Sequence, residues 1–234
     1  MREVLTSQSY VLVSPAGTTP TIYTQQATVE GQPMQSAARA GALTTSWVLL
    51  FNTMFTAMPR TAAAQAYRSY LNLDIAKLEG LDPSLPPPVD YDGSGVSAEG
   101  CAGCHATLDP LTYPFTRFNG LQDPLFTYDP TRMDELAVAL QKPALATVPE
   151  TGKLLGQEVT GLVQWAEVAA NSDPFYSAVV EDYWKLLVGA EPSIDKADLY
   201  ADYEAVWQSL KADPNHSVFT MLHVLVDTEA YGAP

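Results

Sequence analysis

The sequence predicts a mainly α-helical protein with long Pro/Gly-rich loops and a few short strands near its N-terminal end. Three observations carry that prediction. Apolar residues recur at helical spacing in "TAAAQAYRSYLNLDIAKL". Asp-Pro steps in "NSDPFYSAVVEDYWKLLVG" and "ADPNHSVFTMLHVLVD" stand where helices start, and Gly189 stands where the first of these stops. Between the helical parts, residues 80–99, "GLDPSLPPPVDYDGSGVSAE", hold four prolines and three glycines, a density that no regular element survives.

Taken in order, residues 1–40 form an extended segment. "SYVLVS" and "TIYTQQATVEGQ" are rich in Val, Ile, Thr and Tyr and predict short strands. A helical stretch follows from Ala42 to Leu78, broken at Pro59, with Thr61 as the cap of its second half. Ala64, Tyr67, Tyr70, Leu71 and Ile75 make its apolar face. The Pro/Gly loop comes next, extended over Pro86–Pro88, and "MDELAVALQ" predicts a helix at Met133. From Gly152 the chain is helical again. Asp173 caps a helix that starts at Pro174 and presents Phe175, Val179, Tyr183 and Leu186 on one face. Asp213 and Pro214 repeat the device. The domain reading is 1–40, 41–150 and 151–234, or one continuous domain across the last two.

Composition excludes some functions. Of 234 residues 47% are apolar, enough for a core, and 27 acidic against 12 basic side chains leave a net charge of −15. Such a surface repels nucleic acid and anionic membranes and favours a basic partner. The longest apolar stretch, "SWVLLFNTMFTAM", is interrupted by Asn52 and Thr53 and is too short to span a bilayer. "MREVLTSQSY" lacks the regions of a signal peptide, so either a leader has been removed or the chain is a piece of a longer one.

The two cysteines of the chain stand together in "CAGCHATLDP". A disulfide across Cys101 and Cys104 would close a tiny loop and stabilise little. A thioredoxin-like redox motif needs a preceding strand in an α/β chain, whereas a Pro/Gly loop precedes this one. Zinc needs four ligands, and only His216 and His223 remain, far along the chain. Covalent haem attachment uses every residue of Cys-x-x-Cys-His: the thiols of Cys101 and Cys104 add to the two vinyl groups, and His105 ligates the iron. Ala102 and Gly103 let the backbone approach the ring. Downstream, Tyr113 and Phe118 are candidate walls of an aromatic crevice. Arg117 and Arg132 are candidate partners of the propionates. The carbonyl of Pro110 or Pro114 is the expected acceptor for the second nitrogen of His105.

"CAGCHATLDPLTYPFTRFNG" resembles the Cys-x-x-Cys-His, Asp-Pro-Leu, aromatic, Phe-Asn/Asp-Gly pattern of the multidomain cytochrome-c-like proteins of the planctomycete and myxobacterial type. "RAGALTTSWVLLFNT" and "PRTAAAQAYRSYL" resemble the segment before their haem motif, and "NSDPFYSAVVEDYWKLLVG" and "FTMLHVLVDTEAY" their C-terminal helical module. The likeness runs in order over most of residues 35–230. It departs where the usual glycine after Asp-Pro-Leu is Thr112. It implies a helical cytochrome-c-like haem domain with flanking helices, in a protein exported to the periplasm or beyond, where this region ends a longer chain.

The expected function is therefore that of a c-type cytochrome: one covalent haem c, used for electron transfer outside the cytoplasm with a redox protein as partner, alone or within a larger complex. An electron carrier is favoured over an enzyme. The alternatives are a peroxidase-like haem enzyme or sensor with an open distal site, and a subunit of a filament or membrane complex whose fold the haem pins. For the sixth iron ligand Met133 ranks first, 28 residues beyond His105 and at the start of a helix. Met58 at the Pro59 break follows, then His216 or His223, which with Phe219 and Val226 form one helical stripe.

Overall fold

The computed structural model of the protein describes residues 1–8, 10–12, 21–23, 36–53, 57–75, 77, 86–121, 125–192 and 195–232. In chain order the elements are α1 (Glu3–Thr6), β1 (Tyr10–Leu12), β2 (Thr21–Tyr23), α2 (Ser46–Thr53), α3 (Arg60–Leu71), α4 (Ala102–Thr112) and α5 (Arg132–Ala139). There follow β3 (Thr151–Leu154), β4 (Gln157–Thr160), α6 (Gly161–Ala170), α7 (Asp173–Val188), α8 (Ala197–Ala212), α9 (Val218–Val226) and α10 (Glu229–Gly232). The fold is mainly helical, as predicted. Of the runs expected as strands in the first segment, residues 10–12 and 21–23 form β1 and β2, an antiparallel pair with Tyr10 opposite Tyr23, and the rest of both runs lies outside the described residues; Glu3–Thr6, expected as extended, is a short helix.

Helix boundaries follow backbone chemistry more closely than apolar spacing. α3 starts at Arg60 behind Pro59, not at a Thr61 cap, and it stops at Leu71 rather than Leu78. Asn72 ends it in the left-handed conformation at φ 54°, a conformation an asparagine tolerates well. Ser172, not Asp173, caps α7: its side chain accepts from the Phe175 N–H, and Asp173 and Pro174 form the first turn. Gly189 closes α7 at φ 74°, as expected. Asp213 is not the N-cap of a helix but the C-cap of α8, its N–H donating to the Ser209 carbonyl. It accepts from the Asn215 N–H in the turn between α8 and α9, and Ser217 is the cap of α9. The chain from Gly152 does not begin as helix: β3 and β4 form a hairpin through Leu155 and Gly156, both with positive φ (49° and 81°). Two successive positive φ values give the tight turn whose twist matches that of paired strands.

One apolar core joins all three predicted segments, with Leu5 and Leu43, Tyr67 and Phe118, Trp165, Trp184 and Leu225 in a single cluster. α3 packs on α7, α7 on α8, and α8 on α9, while α1 lies against α6. In α7 the fully buried side chains are Phe175, Val180 and Trp184, with Tyr176 beside them. The expected stripe is thus rotated: Val179 and Tyr183 are only partly buried and Leu186 is exposed. A second, smaller cluster gathers Met58, Tyr91, Met133, Ala137, Leu145 and Val148 around α5.

The β3–β4 hairpin braces the end of α4. A Cβ placed on Gly152 would lie 2.1 Å from the Pro110 carbonyl oxygen and 2.6 Å from Cδ of Pro114. Backbone and proline rings cannot yield as a flexible side chain can. We expect Gly152→Ala to destabilise the protein by about 1–3 kcal/mol, the usual cost of overpacking. Gly103→Ala, whose Cβ meets nothing within 4 Å on a helix, should leave stability equal or higher in thermal unfolding. Equal melting temperatures for wild type and Gly152→Ala would contradict this packing.

Candidate functional site

The Cys-x-x-Cys-His segment forms the start of α4. Gly100, at φ 87°, turns the chain out of the loop, and the N–H groups of Cys101 and Ala102 both donate to the Ala98 carbonyl at 3.0 Å. Cys101 stands at the N-cap of α4 and Cys104 in its first turn. Both thiols are free and exposed. The His105 N–H donates to the Cys101 carbonyl at 3.1 Å, so helical geometry fixes the imidazole one turn beyond the first thiol.

His105 is oriented by its own helix. Its Nδ1 lies 2.8 Å from Oδ1 of Asp109, four residues on and fully buried. A carboxylate accepts, so Nδ1 carries a proton, and in the neutral ring the lone pair is then on Nε2. This corrects the expectation that Pro110 or Pro114 would supply the acceptor. The Pro110 carbonyl faces the backbone of Gly152 instead. Asp109 is in turn held by Arg60 from the start of α3: Nε donates to Oδ1 at 2.9 Å and Nη2 to Oδ2 at 3.0 Å. The third guanidinium nitrogen, Nη1, donates to Oδ2 of Asp92 at 2.7 Å.

Charge pairing sets the titration of this cluster. Burial alone would lower the Arg60 pKa, but its bonds to Asp109 and Asp92 outweigh that and raise it above the ordinary value. Burial alone would raise the Asp92 carboxyl, and bonds from Arg60 and Ser94 hold it below its ordinary range. Tyr113, beyond Asp109, is pushed up by burial first and then by Tyr91 and Asp109.

His105 lines a groove of about 280 Å³ between α3 and α4. Thr61, Ala64 and Arg68 come from α3, Leu108 and Thr112 from α4, and Ile75 from the chain beyond α3. The walls are mostly apolar, with Arg68 at the rim in an ion pair with Asp74. Thr112, at the position where the resembled pattern has glycine, is buried and donates to the Asp109 carbonyl at 2.8 Å. It therefore closes the helix end by a side-chain bond.

The other sequence-predicted residues lie elsewhere. Tyr113 packs edge-on against Tyr91, their ring centroids 6.2 Å apart, beside the second cluster. Phe118 is in the main core, edge-on to Tyr128. Arg117 donates to the Val148 carbonyl at 2.7 Å. Arg132 is buried and gives Nη1 to the carbonyl of Thr116 at 2.7 Å and to Sδ of Met133 at 3.4 Å. Met133 and Met58 are both buried in the second cluster, and neither lines the groove beside His105. His216 lies outside α9 and both its ring nitrogens are engaged, Nδ1 with the Leu210 carbonyl at 3.1 Å and Nε2 with the Tyr176 hydroxyl at 3.3 Å. It does not share a stripe with His223, which is exposed on α9. The residues that sequence reasoning missed are Asp109, Arg60 and Asp92. The i,i+4 spacing of His105 and Asp109 on a helix was the available signal for the first. Arg60, 49 positions away from Asp109, gave none.

Among the described residues no helix is long and apolar enough to cross a membrane. No group of three or more His, Cys, Asp or Glu side chains among them is arranged to hold a metal ion. Comparison with known proteins finds no matching family model, no matching curated protein and no matching solved structure.

Removing Arg60 leaves Asp109 buried without its counter-charge. Arg60→Ala should cost about 3 kcal/mol, at the lower end for a buried pair because Arg60 is itself 23% exposed. Arg68→Ala, which breaks a more exposed pair, should cost under about 1 kcal/mol. Chemical denaturation measures both, and equal small losses would contradict the clamp. The depressed Asp92 carboxyl also gives a sign for pH: its contribution is full above about pH 4 and is lost as pH falls through its lower folded value. The wild type should therefore lose stability on acidification more steeply than Arg60→Ala does.

Proposed function

We propose that the protein is a c-type cytochrome: one haem attached through Cys101 and Cys104, its iron ligated by His105, used for electron transfer outside the cytoplasm. The observation that carries this reading is the state of the motif. Two free, exposed thiols stand at the N-cap and in the first turn of a helix, Cys101 one turn before His105 and Cys104 directly before it, and a carboxylate occupies Nδ1 of that imidazole, which leaves Nε2 as its ligating atom. A disulfide or a redox dithiol gives no reason for that orientation of His105, whereas a metal-ligating histidine normally has its second nitrogen held in this way. The groove beside it offers apolar walls to a porphyrin face. When bound, the haem would supply a one-electron couple. The chain's own part is to anchor it by two thioethers, orient the imidazole and keep water from one face.

The net charge of −15 favours a partner with a basic docking surface and gives an on-rate that falls with salt. Thioether formation needs reduced thiols and a maturation apparatus, so the site of maturation is the periplasm or beyond. We retain Met133 as the proposed sixth ligand, on the condition that its sulfur leaves Arg132. A second reading, an open-site haem enzyme or sensor, is favoured by one observation: besides His105 the side chains lining the groove are Arg60, Thr61, Ala64, Arg68, Ile75, Leu108 and Thr112, none of which supplies imidazole or sulfur.

Denatured protein matured in a host with the haem-attachment apparatus should exceed the mass of the chain by one haem, and Cys101→Ser/Cys104→Ser should not. A mass equal to the bare polypeptide would sink the proposal. Protein made in a cytoplasm without that apparatus should be colourless. Met133→Ala should abolish the weak long-wavelength sulfur-to-iron band of the oxidised protein and lower the potential. Rapid carbon monoxide binding by the reduced wild type would instead establish the open site.

A further inference from the structure

The contact that orients His105 is unusual in strength for its task. Backbone carbonyls are neutral acceptors. Here the acceptor is a carboxylate, fully buried, and two nitrogens of one guanidinium fix it from a different helix. Asp92 holds the far side of that guanidinium at 2.7 Å. The Lys142 ammonium, at the Asp92 carbonyl, faces that second carboxylate as well, and of these charged groups Asp109 is the one that bonds the imidazole. We propose that Asp109, clamped by Arg60, is a positioning residue that makes His105 a more electron-donating, ferric-stabilising ligand, and so sets the haem at a lower potential than a carbonyl-oriented histidine would. This rests on the haem reading above and adds to it the element that tunes the iron.

The physical basis is charge donation. A proton shared with a carboxylate leaves more negative charge on the imidazole ring than one shared with a carbonyl, and charge-assisted bonds are the stronger kind. Fe(III) gains more from that charge than Fe(II) does. The clamp also makes the effect permanent. Asp109 is on the same helix as His105 and has no solvent into which it could turn. The bidentate Arg60 prevents its rotation. An ordinary surface carboxylate near a haem would be screened by water, and this one is not.

The test uses the haem-loaded wild type, Asp109→Asn and Asp109→Glu. Asparagine keeps the shape and removes the charge. We expect its ferrous-to-ferric ratio at a fixed potential to rise at least tenfold, about 59 mV for a one-electron couple. Its iron–imidazole stretching band in the ferrous protein should move to lower frequency. Glutamate should restore part of both. An unchanged potential and stretching band in Asp109→Asn would overturn the inference while leaving covalent haem, read from the intact mass, untouched. A separate measurement needs neither haem nor variant: nitrogen-15 spectra of the haem-free wild type should show His105 with its proton on Nδ1. A neutral ring with its proton on Nε2 and none on Nδ1 would overturn the inference whatever the mass measurement gives.

Discussion

A single buried carboxylate organises the central part of this molecule. Asp109 has no exposed surface, and an ionised carboxyl without water costs several kcal/mol unless charge and hydrogen bonds replace the lost hydration. Arg60 supplies the charge, so the first turn of α3 must lie against the middle of α4. That crossing creates the groove in which His105 sits. The remaining nitrogen of Arg60 draws in Asp92 and with it the end of the Pro/Gly loop. The ammonium of Lys142, just after α5, bonds the Asp92 carbonyl and extends the connection to the next helix. From the imidazole to Lys142 the polar contacts run through Asp109, Arg60 and Asp92.

The methionines follow from the same constraint. Met58 precedes Pro59 and Arg60, and its carbonyl accepts from the Arg60 N–H at 2.8 Å. The turn that places the clamp therefore also buries Met58 in the second cluster, beside Met133. Arg132 then reaches between layers, bonding carbonyls at Ala57 and Thr116 as well as the Met133 sulfur. Burial lowers its pKa to about 10, with the neighbouring Arg117 acting in the same direction. A buried guanidinium that bonds backbone oxygens ties segments that helix packing alone would leave independent. For Met133 to ligate iron, this tie has to rearrange.

How much of this was legible in the sequence depended on the range of the interactions. The helices were visible because apolar spacing and Pro or Gly punctuation act within a few residues. So were the Cys-x-x-Cys-His segment and the helix at Met133. Boundaries moved where a nearby polar side chain won the capping competition, as Ser172 did over Asp173 and Ser217 over Asp213. The β3–β4 hairpin was missed because "TGKLLGQEVT" carries weak strand propensity and its turn depends on Leu155 accepting a positive φ. The site was half legible. His105 and the thiols are local, and the pairing of His105 with Asp109 could have been taken from their spacing. The Arg60 clamp could not, because nothing near "MPRTAAA" or "ATLDP" marks them as neighbours. Tyr113 and Phe118 follow the helix end at Thr112, and Tyr113 packs beside the second cluster and Phe118 in the main core.

On the proposed haem two influences would oppose one another, which makes their relative position consequential. A thioether on the distal side favours the ferrous state, because sulfur donates less charge to Fe(III) than imidazole does. A clamped carboxylate on the proximal histidine favours the ferric state. The thioether effect needs a sulfur to leave the second cluster, whereas the carboxylate effect is already built, since Asp109 is fixed by two bonds from Arg60 and cannot rotate to water. With haem bound as proposed, the carboxylate would act in every ligation state, and the thioether only when Met133 or Met58 is drawn across. An electron carrier built this way would have its potential set from the α3–α4 crossing and adjusted from the α5 layer, and the Pro59 turn, which carries both Met58 and Arg60, is where the two meet.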